Sequence, residues 1–294
     1  MGNKTVEVRE LCKEYEGGFT AVNGVSFDVD EGEVLGIIGP NGAGKTSSLK
    51  MVSGLIEPTS GVASVAGFDV QDPEMKSELG FLPEESPAYD SMTAHSYLRF
   101  FADLYDVPRE EANNRIEETL DELDLEYRDR RIGDLSKGMT RKVLIARSLI
   151  NEPSVLVYDE PASGLDPYTT NYIVDYIDTL ADRGKSIIFS AHNLYHVESL
   201  CDRVIIMNNG KVLARGTISE VRNEHGQRKY DVLIDEPLPS AQKVEDGYRK
   251  RVSSSSEVDE TKEEAEEKGI TVRDVYTVEP SLEDIFLDLI EEGD

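Results

Sequence analysis

A chain of 294 residues is long enough for one large domain, or for one of about 200 residues with a smaller appendage, and either can bury a real core. Its formal net charge of -28, from 59 acids against 31 bases, repels polyanions and argues against nucleic acid as a partner. No run approaches the ~18 to 20 consecutive apolar residues that cross a bilayer. Met1-Gly2-Asn3-Lys4 lacks the apolar core of a signal peptide, so the chain is expected to be soluble and to stay inside the cell. Cys12 and Cys201 stand far apart, without metal or redox spacing, and are expected to be structural thiols. The acids are scattered along the whole chain, as on the surfaces of proteins from salt-loving organisms, which bears on habitat rather than function.

In chain order, short Val- and Ile-rich runs alternate with amphipathic segments, the pattern of an α/β fold. Residues 34–38 form the first expected buried strand, and a helical period begins at Lys45 and runs to Gly54. Helical periods follow over 94–104, 110–123 and 138–151, then a buried strand over 155–158. A helix over 169–183, a strand over 187–189 and a helix over 194–200 come next. Strand-like runs at 204–207 and 212–214 flank Asn208-Asn209-Gly210-Lys211, in which Asn-Gly is a good hairpin turn. Beyond about Thr217 the character changes. Strands are expected over 229–234 and 270–275, and a mobile loop followed by a solvated helix over 253–268. A final amphipathic helix begins at Ser281, which can cap it. The main domain is therefore placed at 1–216 and a small accessory domain, with an acidic loop, at 217–294.

Gly39-Pro40-Asn41-Gly42-Ala43-Gly44-Lys45-Thr46 fits G-x-x-x-x-G-K-[ST], follows a strand and opens a helix, as a phosphate loop requires. Its glycines let backbone N–H groups turn inward around a polyphosphate, and the helix N-terminus adds partial positive charge. The run through Ser47 is the candidate triphosphate cradle, with Lys45 reaching the β- and γ-phosphates and Thr46 ligating Mg²⁺. Alone it names only a nucleoside triphosphate. No N-K-x-D element is present to read guanine. The run Val155-Leu156-Val157-Tyr158-Asp159-Glu160 is a buried strand ending in two acids with separate tasks: Asp159 can hold Mg²⁺ through water, and Glu160 can polarise an attacking water.

Leu135-Ser136-Lys137-Gly138-Met139 stands between these motifs, and Ser190-Ala191-His192 closes a later strand. The order of phosphate loop, L-S-x-G, Asp-Glu and His resembles the ATP-binding cassette (ABC) family over about residues 4–216. The resemblance implies a P-loop NTPase cassette of α/β class. Its parts are a central, mostly parallel sheet, an antiparallel β subdomain, and a helical subdomain at about 85–150 that carries the signature motif. The residues beyond 217 would be a small α+β appendage. It also implies that Ser136 and Gly138 contact the γ-phosphate of ATP bound to an opposite subunit, while Lys137 and Met139 depart from the usual Gly and Gln. Ser163-Gly164-Leu165-Asp166 resembles the D-loop, which makes Asp166 a candidate nucleotide contact. His192 would be the switch histidine, and Tyr15 the aromatic that stacks on adenine. Glu84 sits where the family usually has Gln and is a candidate Mg²⁺ ligand.

By the same resemblance, Pro280-Ser281-Leu282-Glu283-Asp284-Ile285-Phe286 looks like the tail of cassettes from type 2 ABC exporters. The implied protein is an ATPase with ATP and Mg²⁺ that powers transport, expected to be export, through a separate transmembrane permease. It would lie on the cytoplasmic face of the membrane and pair with a second cassette as a homodimer, or as a heterodimer with a related one. Glu160, His192 and Lys45 would carry the catalysis. The rival expectation is a soluble ABC-type regulatory ATPase not coupled to transport. Such proteins usually carry two cassettes or a long coiled coil, neither of which is seen here.

Overall fold

The computed structural model describes residues 3–85, 87–191, 193–226 and 229–293, and the chain divides into two compact units, Met1–Ile218 and Ser219–Asp294.

The first unit opens with two long antiparallel strands, β1 (Lys4–Tyr15) and β2 (Phe19–Asp30), joined through Gly17 and Gly18, both at positive φ. Strand β3 (Val34–Ile38) is buried throughout and runs into helix α1 (Lys45–Val52). Strands β4 (Ser60–Val65) and β5 (Phe68–Asp69) complete an antiparallel sheet of order β2-β1-β4-β5. A single turn of helix, α2 (Met75–Glu78), leads into β6 (Leu79–Leu82). Helices α3 (Ala94–Leu104), α4 (Arg109–Glu122) and α5 (Lys137–Leu149) follow. The chain then alternates through β7 (Val155–Asp159), α6 (Pro167–Asp182), β8 (Ser186–Ser190) and α7 (Leu194–Leu200). Strands β9 (Arg203–Asn208) and β10 (Lys211–Thr217) form the hairpin, with Asn209 and Gly210 both at positive φ as a two-residue turn demands.

The larger sheet has the order β10-β9-β3-β8-β7-β6, parallel except for β10. Its central strands are continuous apolar runs because helices or the second sheet cover both faces. Val6 and Val8 of β1, Leu35 and Ile37 of β3, Leu49 and Met51 of α1, and Val155 and Val157 of β7 share one core. The sheet register matters for function. Ile37 pairs with Ser190, Ser190 with Asp159, and Tyr158 with Leu82, so four parallel strands end at one edge. Ligands of open α/β sheets bind at such carboxyl ends.

The second unit begins as α8 (Ile218–His225) ends the preceding hairpin. It contains β11 (Lys229–Ile234), β12 (Gln242–Val244), β13 (Gly247–Val252), α9 (Ser255–Glu267), β14 (Val272–Val278) and α10 (Leu282–Gly293). Its sheet is antiparallel, in the order β12-β13-β11-β14. Over 253–268 the expected helix is present as α9 and mostly exposed, but it starts already at Ser255 and one of its faces is packed rather than solvated. Ser254 caps α9 by accepting from the Glu257 N–H, and Val258 and Ala265 join Val232, Ile234 and Val252 in a separate small core. Those few apolar positions among many acids were too sparse to mark a packed face.

Candidate functional site

The phosphate loop lies between β3 and α1, and at Gly39 and Gly44 neighbouring backbone leaves no room for a side chain, while Gly42 stands at φ 84 with open space around it. A Cβ on Gly39 would meet the Met207 carbonyl oxygen at 2.4 Å. Gly44, at φ 98, would bring one to 2.4 Å from the carbonyl oxygen of Ala21. The Lys45 amine is buried within the loop and donates to the carbonyls of Gly39 at 2.7 Å and Pro40 at 3.2 Å. Burial pulls its pKa down, while the carboxylates of Glu160, Asp159 and Glu84 hold it up. A cation from α1 therefore meets three acids carried by two segments, those leaving β6 and β7.

Asn41 to Ser47, Glu84 and Glu160 line an open cleft of about 300 Å³, with Tyr15 and Phe19 at its rim. Tyr15 and Phe19 are cross-strand partners in the β1–β2 hairpin. Both rings are exposed, and the Tyr15 hydroxyl stands 3.2 Å from Ser47 Oγ. Phe19 escaped the sequence reasoning. Its signal was available, since it lies just beyond the Gly17-Gly18 turn that Tyr15 precedes.

Asp159 is the last residue of β7 and is 1% exposed. Its Oδ1 accepts a 2.6 Å hydrogen bond from Ser190 Oγ, while its Oδ2 is buried without a hydrogen-bond partner. An orphaned buried carboxylate oxygen is costly unless a ligand meets it. Beside a phosphate loop, it suits Mg²⁺, a hard cation that takes a few protein oxygens and completes its shell with water and phosphate. Among the described residues there is no group of three or more His, Cys, Asp or Glu that could hold a metal ion. Thr46, on the first turn of α1, and Glu84 line the same cleft.

Glu160 has φ 49, a left-handed conformation that costs a non-glycine residue about 1 to 3 kcal/mol and persists only where the surroundings hold it. Its N–H donates to Ser190 Oγ at 3.0 Å, and its carbonyl accepts from Arg141 Nη2 at 2.7 Å. Burial pushes its carboxyl up to about 7, with Lys45 opposing and Glu84 and Asp159 reinforcing the rise. A carboxyl poised near neutrality suits a general base.

Other predicted residues lie elsewhere. Ser136 is the N-cap of α5 and accepts from the Met139 N–H at 3.2 Å. Gly138 lies against α6, where a Cβ would come within 2.9 Å of Thr169 Cγ2. Asp166 is the N-cap of α6, accepting from the Thr169 N–H at 3.0 Å, and this hydrogen bonding lowers its pKa. None of the three lines the cleft of the phosphate loop. His192 lies outside the described residues. The chain thus gathers the cradle, the buried acid with its unpartnered oxygen and the poised carboxyl, and leaves the signature residues apart from them.

The ABC transporter family model matches residues 22–163. NatA of Bacillus subtilis, an ABC transporter ATP-binding protein, is 42% identical over 205 residues, 68% of this chain and 83% of that one. The chain belongs to the ABC transporter ATP-binding proteins. MJ1023 of Methanocaldococcus jannaschii, an uncharacterized member, is 34% identical over 287 residues, covering 96% of this chain and 98% of its own. A dimeric cassette in a post-hydrolysis state, bound to ADP and Pi, superposes with a TM-score of 0.66 at 25% identity, over 72% of this chain and 98% of that one. This ABC cassette is accordingly an ATPase, with ATP and Mg²⁺, that powers transport through a separate permease. No helix among its described residues is long and apolar enough to cross a membrane.

Proposed function

We propose that this ABC ATPase hydrolyses ATP at a site completed by a second cassette, and that its own half consists of Lys45, Thr46, Glu84, Asp159 and Glu160. The observation that carries this reading is the convergence of the buried Lys45 amine with the Asp159 and Glu160 carboxyls at one sheet edge. Backbone N–H groups of residues 39–47, Pro40 excepted, cradle the phosphates, and Lys45 stabilises charge on the transferred phosphoryl group. Asp159, Thr46 and Glu84 hold Mg²⁺, which neutralises phosphate charge. Glu160 accepts a proton from the attacking water, and His192 senses the γ-phosphate. Tyr15 stacks on adenine, with Phe19 beside it.

Ser136, Gly138 and Asp166 serve the nucleotide of the opposite cassette, which explains why they stand away from the cleft of their own chain. The two cassettes close head to tail around two ATP and drive the permease from one access state to the other. The cassette works on the cytoplasmic face of the membrane, held there by the permease, with residues 217–294 as a distinct accessory domain. The direction is export, a reading supported by the tail from Pro280 to Phe286.

The test of the site is Glu160→Gln. Turnover is expected to fall on the order of 10² to 10⁴-fold with nucleotide binding retained. Wild-type hydrolysis by the variant would remove Glu160 from the mechanism. For direction, purification of the intact membrane complex should yield a permease and no solute-binding protein, whereas a bound solute-binding protein would mean import.

A further inference from the structure

Arg141 is a buried cation on the signature helix α5, and none of the roles above uses it. Among the described residues its guanidinium hydrogen-bonds five main-chain carbonyls. Nε donates to Pro161 at 2.7 Å, and Nη2 to Glu160 at 2.7 Å and Asp159 at 3.2 Å. Nη1 donates to Pro83 at 2.8 Å and Glu84 at 3.0 Å. These carbonyls belong to two stretches of backbone, those leaving β6 and β7, which pair in parallel through Leu82 and Tyr158. One side chain from the helix that begins at Ser136 therefore fastens both segments that carry the acids of the cleft.

What it fastens is strained. Glu160 stands at φ 49, with Ser190 Oγ taking its N–H from one side and Arg141 taking its carbonyl from the other. A planar fork of donors can meet carbonyls on several sides at once, which an ammonium on a flexible stem cannot.

We propose that Arg141 is a positioning residue for ATP hydrolysis: it fixes the backbone of Glu160 and Glu84 at the cleft and ties that geometry to the signature helix. Engagement of the signature helix by the opposite cassette then reaches the base through a single side chain. This rests on the reading of Glu160 as the base.

The experiment compares Arg141→Gln, Arg141→Lys and Glu160→Gln in the full chain, reading kcat, KM for ATP, nucleotide affinity and melting temperature. Arg141→Gln should lower kcat about 10- to 100-fold, as displacement of a catalytic group by about 1 Å does, with nucleotide affinity within about twofold of wild type. Arg141→Lys keeps the charge and loses the fork, so kcat should fall while nucleotide affinity stays in place. That variant carries the test should Arg141→Gln fail to fold. Wild-type kcat in a folded Arg141→Lys protein would overturn the proposal, as would a loss that tracks nucleotide affinity or melting temperature. An active Glu160→Gln protein would instead sink the reading of Glu160. An inert Glu160→Gln beside wild-type Arg141 variants would sink this inference alone.

Discussion

Glu160 is the residue on which most of the proposed chemistry turns, and its environment gives it two opposite pH dependences. As the proposed base it must be deprotonated, so with its carboxyl raised to about 7 the kcat/KM of the cassette should fall as pH drops below about 7. For stability the sign reverses. The folded carboxyl keeps its proton to higher pH than the unfolded one, whose ordinary value is 4.5, so folding is favoured below 4.5 and loses that contribution as pH rises through about 7. Melting curves of the nucleotide-free protein across this window should show the loss, and Glu160→Gln should flatten it. An equal pH slope in the variant would mean that other groups cause the dependence. At Gly44 the prediction is steric: Gly44→Ala sets a Cβ against the Ala21 carbonyl at positive φ, so stability should fall by about 1 to 3 kcal/mol and ATP affinity with it. Equilibrium unfolding with and without nucleotide checks both. The phosphate loop was fully legible because its pattern, preceding strand and following helix are contiguous in sequence. Arg141 was not, because its carbonyl partners lie 18 to 58 residues away and meet it only after folding.

Among the elements, α3 shows how local sequence fixes a boundary. Thr93 Oγ1 accepts from the Ser96 N–H at 3.2 Å, and Ser96 Oγ accepts from the Thr93 N–H at 2.9 Å, which closes a capping box. Thr93→Ala should cost about 1 kcal/mol, seen as a lower denaturation midpoint with unchanged ATP affinity. A variant as stable as wild type would mean that packing alone holds the turn. In α9 the apolar positions decide. Ala265→Asp would place an unpaired charge in the small core, and amide protection in β11 and β13 should collapse, whereas Glu260→Ala should leave it intact. The helices and buried parallel strands were readable from period and from continuous apolar runs. Strand β1 was harder: Val6 and Val8 alternate, but a register shift before Leu11, with Glu10 at φ 46, breaks the period of two.

For the whole molecule, an excess of 28 negative charges in 294 residues disfavours compactness through self-repulsion. Salt screens it, the Debye length shrinking from about 30 Å at 0.01 M to about 3 Å at 1 M. The melting temperature should therefore rise with added KCl, and a fall would show that attractive ion pairs dominate. The proposed half-site character of the cassette was legible in the sequence through its resemblance to the family. Motif order implied an opposite subunit, and the fold leaves Ser136, Gly138 and Asp166 out of the cleft that holds Lys45 and Glu160. The most direct test of that claim is the mass of Glu160→Gln in solution by size-exclusion chromatography with light scattering. With Mg²⁺ and ATP the mass should double, and it should return to one chain with ADP. A variant that binds ATP and stays a single chain at every nucleotide concentration would contradict the account.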